Sequence, residues 1–510
     1  MIMKKVVSIL IFLFLTIGCK QEKETNISLE ELTISEIHTN YSNGVYNSEQ
    51  LVQAFIGRIK TKDSSINAIT YINPEALAIA KRLDEEFKST GKLRPLHGIP
   101  MIVKDNFNTI GMPTTAGSLA LKDFRPDSNA TMVQQLIDAG AIIIAKSNMA
   151  EWAFSPMHSE SSTHGTTHNA YNTNYVPAGS SGGTAASIAA NFGVIGLGSD
   201  TGNSIRGPSS HNALVGIRST MGLTSRAGII PLYLRNDIGG PMCRTVEDAT
   251  KVLNMISGYD PKDPITKNSD GKVAKDYSKF LDINGLKGAR IGVLRELSDN
   301  NPDEEITLLF NAAIKDMEGL GATILDSIEI PNFSELRKNQ WCDVFKQDLE
   351  NYLSEFVKND TIATLEDITR IGSKSVYAEE GVIYFRDAPN GRSSAPEIPC
   401  ANVYEDERSI AFRTAIEKVM DEMNLDAIIY PSWNNRPATV AHFEEEYKGD
   451  NSQVIAPHTG QPAFTVPMGF IKGNLPVGLQ FLGRMYAEPT LIKLTYSYEQ
   501  GTKHRKKPNL

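Results

Sequence analysis

Two glycine- and serine-rich clusters constrain this chain more than any other part of its sequence. The first covers residues 177–184 and reads PAGSSGGT, and the second covers residues 198–208 and reads GSDTGNSIRGP. The small and apolar residues between them predict a helix over 183–190 and a strand over 192–198. Glycine lets a ligand approach the main chain closely, and serine supplies a hydroxyl that becomes a nucleophile when a base is near. The two clusters are therefore candidate parts of one site.

A candidate base lies upstream at Lys104, directly after the apolar segment Met101–Val103. This segment predicts a short buried strand that ends at the lysine. Free lysine titrates near about 10.4, and burial can lower the pKa to about 5 to 6. A single lysine is usually a surface charge and a single Gly-Ser run is usually a turn. Only the combination of Lys104 with both clusters predicts a catalytic site.

Lys104, Ser180 and Ser204, with the residues around them, resemble the Lys-Ser-Ser triad of the amidase signature family. The resemblance includes a C-terminal block over residues 462–484, so it extends over most of the chain. It implies an α/β fold: a single domain over residues 41–510, with a large mixed β-sheet covered by helices on both faces. Residues 334–407 are expected to be rich in helix, and their arrangement is the least predictable.

The resemblance also implies a reaction, the hydrolysis of carboxamide bonds. Ser204 would attack the carbonyl carbon, and Ser180 would relay the proton to Lys104. Backbone N–H groups of the loop before Ser204 would form the oxyanion hole, a feature whose single donors typically contribute roughly 3 kcal/mol to transition-state stabilisation. The other residues that the resemblance places at the site are the oxyanion-hole residues Thr201, Gly202 and Asn203, and the supporting residues Gly179, Asp200 and Arg206. The bond between Gly179 and Ser180 would be a cis peptide.

The sequence departs from the common family pattern at two positions. Asn203 stands where many members have glycine, and it adds a side chain beside the predicted oxyanion hole. Asparagine tolerates a positive φ better than most residues, so we expect the turn to survive. Ala178 stands where glycine is commoner, and we expect this change to be mild.

Residues 219–231 are similar to the peptide-amidase-like branch of the family, so C-terminal peptide amides or small carboxamides are the expected substrates. Three alternatives stay open: an esterase on the same scaffold, an amide-binding lipoprotein without turnover, and an A-type subunit of the tRNA-dependent amidotransferase. The first cluster lacks the Gly-Lys-Ser/Thr of a nucleotide P-loop, and we predict no cofactor. Aromatic and apolar candidates for an acyl pocket are Trp152, Phe154, Met157 and Tyr171.

Metal binding and nucleic-acid binding are both disfavoured. His158, His164 and His168 precede the first cluster, but their spacing matches no standard ligand pattern, and we predict no metal site. The net charge of -9 and the pI of about 5.6 do not fit the basic surface that nucleic acids require. The sequence leaves the oligomeric state open.

The N-terminus resembles an export signal. Residues 1–18 combine two lysines with a short apolar run, and they end before Cys19 in a sequence similar to a lipobox. We therefore predict a lipoprotein signal peptide over 1–18, a lipid on Cys19 that anchors the protein to a bacterial membrane on its periplasmic or surface side, and a tether over 19–40. The alternative is an uncleaved N-terminal anchor. Of the remaining cysteines, the sequence leaves open whether two pair or all are free thiols: Cys243, Cys342 and Cys400.

Overall fold

A computed structural model describes residues 27–389, 392–393 and 400–510. The predicted signal peptide and Cys19 lie outside the described residues. Among the helices that are described, none is long and apolar enough to cross a membrane.

The described strands alternate with helices along most of the chain, as expected for an α/β protein. The strands are β1 (Ile69–Ile72), β2 (Pro100–Lys104), β3 (Ile142–Ser147), β4 (Glu160–Ser161), β5 (Gly165–Thr166), β6 (Ile195–Asp200), β7 (Val215–Arg218), β8 (Ile238–Cys243), β9 (Arg290–Val293), β10 (Thr323–Asp326), β11 (Cys342–Asp343), β12 (Arg392–Ser393), β13 (Ala427–Pro431), β14 (Ala463–Ile471) and β15 (Leu475–Leu482).

The helices differ widely in length, and the longest described ones have 16 residues. They are α1 (Ile34–Ser42), α2 (Ser48–Lys62), α3 (Ala76–Thr90), α4 (Thr131–Asp138), α5 (Gly182–Ala189), α6 (Arg206–His211), α7 (Val246–Ile256), α8 (Arg295–Ser298), α9 (Glu304–Gly319), α10 (Phe333–Leu336), α11 (Phe345–Tyr352), α12 (Leu365–Ile371), α13 (Val376–Asp387), α14 (Glu407–Glu422), α15 (Phe443–Glu446), α16 (Ala456–Thr459) and α17 (Glu488–Thr502).

Within the described ranges, eleven strands form one mixed sheet in the order β1-β3-β2-β6-β8-β7-β14-β15-β13-β9-β10. Strand β2 runs parallel to both β3 and β6, whereas β6 and β8 are antiparallel. Every residue of β2, β6, β7 and β8 is buried, so helices and loops must cover both faces of the sheet centre. The predicted fold class is thereby confirmed.

The N-terminal boundary of the domain differs from the prediction. Helix α1 begins after Thr33, whose hydroxyl accepts from the N–H of Glu36 (3.2 Å) while the Glu36 carboxylate accepts from the N–H of Thr33 (2.9 Å). This capping box fixes the start of the helix, and Ile34 and Ile37 are buried in the main core. The predicted tether over residues 19–40 is therefore wrong for the residues of this helix.

The described residues show which cysteines are paired, a point that the sequence left open. Cys342 in β11 forms a disulfide with Cys400, which lies 58 positions later. Cys243 in β8 is a buried free thiol, and burial raises its pKa well above the usual range. An inert, buried thiol of this kind packs as a small apolar side chain.

Candidate active site

The site lies where two neighbouring parallel strands end. Val103 of β2 pairs with Leu197 of β6, so Lys104 stands beside the carboxyl end of β6. The loop that precedes helix α5 brings Ser180 to the same place, and the peptide bond between Gly179 and Ser180 is cis, as the family resemblance implied. Ligands of α/β sheets characteristically bind at the carboxyl ends of the strands.

Glycine is required at two positions of the first cluster because the backbone is packed closely. A Cβ atom on Gly179 would lie 2.2 Å from the carbonyl oxygen of His158, and one on Gly183 would lie 2.2 Å from that of Asn148. No side chain fits at such distances. These glycines therefore hold Ser180 at a fixed position beside the strand ends.

Lys104 is fully buried and its amine is held by hydroxyl groups. Its Nζ lies 2.7 Å from Ser180 Oγ and 2.8 Å from Ser199 Oγ. The amide of Asn106 donates a further hydrogen bond to Ser199 Oγ (3.0 Å), which fixes that hydroxyl. Sequence reasoning missed both residues, although Ser199 lies in the second cluster and Asn106 follows Lys104 by two positions.

Burial sets the protonation of Lys104. Removal of the amine from water lowers its pKa to about 7, although the negative charges of Asp237 and Asp200 oppose the shift. A large fraction of the protein therefore carries a neutral Lys104 amine at neutral pH. This is the state in which a lysine can accept a proton.

Ser204 lies in the loop between β6 and α6 and borders a cavity of about 550 Å³. Its hydroxyl donates a 3.4 Å hydrogen bond to Asn203 Oδ1. In the described part of the chain, no hydrogen bond joins Ser204 Oγ to Ser180 Oγ. The structure therefore forms the Lys104–Ser180 half of the predicted relay and leaves the second half open.

The main chain before Ser204 presents a row of unused donors. The N–H groups of residues 201–204 donate to no oxygen among the described residues, and all four residues border the cavity. Buried or partly buried N–H groups are nearly always paired, so four consecutive free donors indicate a place for a negatively charged oxygen. The predicted oxyanion-hole residues are thus brought together: Thr201, Gly202 and Asn203, with Ser204.

A buried ion cluster braces this loop. Asp200 accepts hydrogen bonds from the guanidinium groups of Arg206 (Nε, 3.1 Å) and Arg218 (Nη1, 2.8 Å). Burial alone would raise the pKa of Asp200, but the two arginines hold it far below its usual range. Arg206 also donates to the carbonyl oxygen of Gly202 (2.6 Å) and to Gln480 (3.0 Å) in β15. Sequence reasoning found Asp200 and Arg206 but missed Arg218 and Gln480.

The two departures from the family pattern have different structural outcomes. Asn203 does not adopt a positive φ, so the tolerance we invoked for it is not needed, and its amide donates to the carbonyl oxygen of Pro156 (3.3 Å). Ala178, in contrast, has a φ of 63°. This left-handed conformation costs a residue with a Cβ roughly 1–2 kcal/mol, a backbone cost at Ala178 that the sequence alone did not reveal.

Six aromatic residues border the cavity beside Ser204. Of the four pocket residues predicted from sequence, only Phe154 borders it. Trp152 is buried behind the wall, Met157 is not part of the lining, and the Tyr171 ring packs on Phe470 at the far C-terminal side. The rings that sequence reasoning missed are Tyr233, Trp341, Tyr377, Tyr384 and Phe385.

The histidines before the first cluster make separate contacts. His158 bonds to Ser155 Oγ through Nδ1 (2.7 Å), and His168 Nδ1 lies 2.7 Å from the carbonyl oxygen of Thr173. Within the described ranges, no three or more His, Cys, Asp or Glu side chains are grouped so as to hold a metal ion.

Known proteins share this fold and much of this sequence. The family model described as Amidase matches residues 50–492. A probable amidase of Arabidopsis thaliana is 33% identical over 505 residues, which cover 95% of this chain and 92% of the plant protein. The A subunit of the glutamyl-tRNA(Gln) amidotransferase of Exiguobacterium sibiricum is 33% identical over 497 residues, which cover 93% of this chain and 98% of the bacterial protein. The crystal structure of the peptide amidase from Stenotrophomonas maltophilia superposes with a TM-score of 0.83 at 33% identity, over 94% of this chain and 99% of that one.

The family match, the relatives and the shared fold extend over nearly the whole described chain, and they agree with the motifs around Lys104, Ser180 and Ser204. The chain is an amidase enzyme and belongs to the amidase signature family.

Proposed function

We propose that this amidase hydrolyses C-terminal peptide amides or small carboxamides through an acyl-enzyme on Ser204. Ser204 Oγ attacks the carbonyl carbon while its proton passes through Ser180 to the neutral amine of Lys104. The tetrahedral intermediate then collapses, the C–N bond breaks, and Lys104 returns the proton to the leaving nitrogen. Water hydrolyses the ester on Ser204 by the same route in reverse.

The observation that carries this proposal is the free row of N–H groups beside Ser204. An amide carbonyl in the cavity would place its oxygen against these donors and its carbon against the Ser204 hydroxyl. The buried Lys104 amine, 2.7 Å from Ser180 Oγ, supplies the base. For the reaction, the Ser204 hydroxyl must leave Asn203 and turn towards Ser180. Catalytic hydrogen bonds of this kind often tighten only when substrate binds.

The proposed substrate class is supported by the similarity to a solved peptide amidase and by the volume of the cavity. The solved relative with a TM-score of 0.83 is a peptide amidase, and the cavity of about 550 Å³ lies within the range of small-molecule sites. Ester hydrolysis would use the same groups, and comparing an amide with the ester of the same acyl group distinguishes the two.

Ammonia release from a panel of peptide amides tests the proposal. We expect turnover by the full-length protein, and no turnover by Ser204→Ala or Lys104→Ala. Ser181→Ala is the matched control, because Ser181 lies in the same cluster but its hydroxyl bonds to the carbonyl oxygen of Ser199 (3.1 Å), not to Lys104. We expect this variant to retain turnover. Fluorophosphonate labelling at Ser204 gives a second readout, and a protein that neither turns over amides nor labels would contradict the proposal.

A second candidate is an amidotransferase A-type role, favoured by the 33% identity to the amidotransferase protein of Exiguobacterium sibiricum. This role predicts slow hydrolysis of peptide amides by the isolated chain and faster ammonia release from glutamine. Measuring both substrates side by side decides between the two candidates.

We also propose that the protein is exported and lipid-anchored through Cys19. The disulfide between Cys342 and Cys400 supports export, because disulfides persist in oxidising compartments. Mass spectrometry of the mature N-terminus tests this: an acylated Cys19 supports the proposal, and an intact Met1 contradicts it.

A further inference from the structure

One face of helix α13 forms a wall of the cavity beside Ser204. Tyr377, Glu380, Gly381 and Tyr384 all border the cavity, and their spacing of three, one and three residues places them on one side of an α-helix. Close packing explains the glycine at position 381, because a Cβ there would lie 2.7 Å from the ring of Phe154. The helix is thus pressed against the aromatic wall and presents a carboxylate to the cavity.

Parts of the lining next to α13 add more rings and a second carboxylate. Tyr233 lies 6.0 Å from Trp341 and 6.0 Å from Phe385, measured between ring centroids. Asp343 borders the cavity beside Trp341, and its carboxylate accepts a 3.0 Å hydrogen bond from the hydroxyl of Tyr384. Aromatic faces carry partial negative charge, and they attract cations within about 6 Å of the ring centroid.

Carboxylates are among the ionisable groups in the described lining of this cavity. Of the described residues that border it, two are acidic, Asp343 and Glu380, and none is Lys, Arg or His. Glu380 is an exposed residue that borders the cavity, and it makes no ion pair with any described residue. Burial raises the pKa of Tyr233 and of Tyr377, and nearby carboxylates raise both further: Asp343 for Tyr233 and Glu444 for Tyr377. A site for purely apolar acyl groups would not need the exposed carboxylate of Glu380.

We propose that the cavity selects carboxamides whose acyl part carries a cationic side chain, an ammonium or a guanidinium group. This inference rests on the proposed amide hydrolysis and names the substrate class for the same site. The side chain lies against the faces of Tyr233, Tyr377 and Tyr384, with Glu380 as its counter-charge. The scissile amide lies at Ser204, which borders the same cavity.

N-acetylated arginine amide and citrulline amide test the proposal directly, because the two side chains have nearly the same shape and differ in charge. We expect the full-length protein to show a kcat/KM for the arginine amide that is about tenfold higher or more. Added salt should reduce the difference in kcat/KM between the arginine amide and the citrulline amide, because Glu380 is exposed and its charge is screened.

Two variants on α13 distinguish an effect of the Glu380 carboxylate in the cavity from an effect of the protein's net charge. Glu380→Gln should lower the arginine-to-citrulline ratio by about threefold or more, mainly through KM. Glu379→Gln removes the same charge from the same helix at a position that does not border the cavity, so the ratio should stay at the wild-type value. A ratio that falls equally in both variants would overturn the role of Glu380.

A binding measurement on Ser204→Ala keeps the outcome independent of turnover. If both amides turn over at the same rate, the cationic preference is wrong and amide hydrolysis stands. If neither turns over but Ser204→Ala binds the arginine amide selectively in calorimetry, the subsite stands and hydrolysis of these amides fails. Neither turnover nor selective binding would overturn the proposal.

Discussion

Replacing Lys104 by methionine should abolish activity and at the same time stabilise the protein. The lysine is fully buried, and its pKa falls from 10.5 to about 7. At pH 7 the unfolded chain binds this proton almost fully, whereas the folded protein binds it only about half the time. One pKa unit corresponds to about 1.4 kcal/mol, so the buried lysine costs on the order of 4 kcal/mol of folding free energy at this pH.

Lost hydrogen bonds offset part of this gain. In Lys104→Met the Ser180 hydroxyl loses its partner, which costs about 1–2 kcal/mol, whereas Ser199 Oγ keeps the hydrogen bond from Asn106. We therefore expect the free energy of unfolding to be about 2–3 kcal/mol higher in Lys104→Met than in the wild type at pH 7.

The pH dependence has a definite sign. Between the folded pKa of about 7 and the unfolded value of 10.5, the unfolded wild type binds one more proton at Lys104 than the folded state. Wild-type stability therefore rises with pH relative to the variant, by about 1.4 kcal/mol per unit. Urea unfolding at pH 7.5 and pH 9 should show the advantage of the variant shrinking by about 2 kcal/mol.

Ser204→Ala is the control, because it is expected to be inactive but keeps the buried lysine. Its stability should follow the wild type at both pH values. Lys146 is also fully buried, with a pKa lowered to about 8, but it is present in all three proteins and cancels in the differences. An advantage of Lys104→Met that does not change with pH would mean that Lys104 stays charged in the folded protein, and would refute the neutral base.

Three further predictions concern the site and its surroundings. Because Lys104 must be neutral to accept a proton and its pKa is about 7, kcat/KM for an amide should fall as pH drops below about 7 and level off above it, which a pH–rate profile measures. Replacing Cys342 and Cys400 together by serine should lower the free energy of unfolding by about 4 kcal/mol, because the disulfide closes a loop of 58 positions; equal denaturation midpoints would contradict this. Ala178→Gly should raise the free energy of unfolding by about 0.5–1 kcal/mol, since Ala178 has a φ of 63°; a loss of stability in thermal or urea unfolding would show that its methyl packing matters more.

The sequence predicted those parts of the site that lie in continuous motifs. Lys104 follows a short apolar strand, and Ser180 lies in a cluster where glycine is required by close packing. Backbone demands of this kind leave a visible trace in the local sequence. The mixed sheet, its helices on both faces and the cis peptide before Ser180 were expected only through the family resemblance that these motifs carry.

The substrate cavity could not be located in the same way. Its walls come from segments far apart in sequence, such as Tyr233, Trp341 and α13, and two of these segments lie within residues 334–407, the region that was hardest to interpret. Aromatic residues at helical spacing are usually core residues, so Tyr377 and Tyr384 gave no specific signal by themselves. Glu380 and Gly381 lie on the same helical face, and an acidic residue and a glycine among core-like rings distinguish this helix from an ordinary core helix. The pairing of Cys342 with Cys400 likewise depends on tertiary contacts that local sequence does not encode.

The buried ion cluster that braces the Ser204 loop has a consequence for how the enzyme is made. Arg206, which holds the loop, bonds to Gln480 in β15, and β15 lies inside the sheet between β14 and β13. Glu31 near the start of the described chain pairs with Arg505 near its end. A ribosome must therefore release almost the entire polypeptide before the loop that carries Ser204 can be secured. A chain that ends before β15 contains Lys104, Ser180 and Ser204 but lacks Gln480, which supports Arg206. We therefore expect removal of the C-terminal part from β15 onward to inactivate the enzyme, although Lys104, Ser180 and Ser204 are retained.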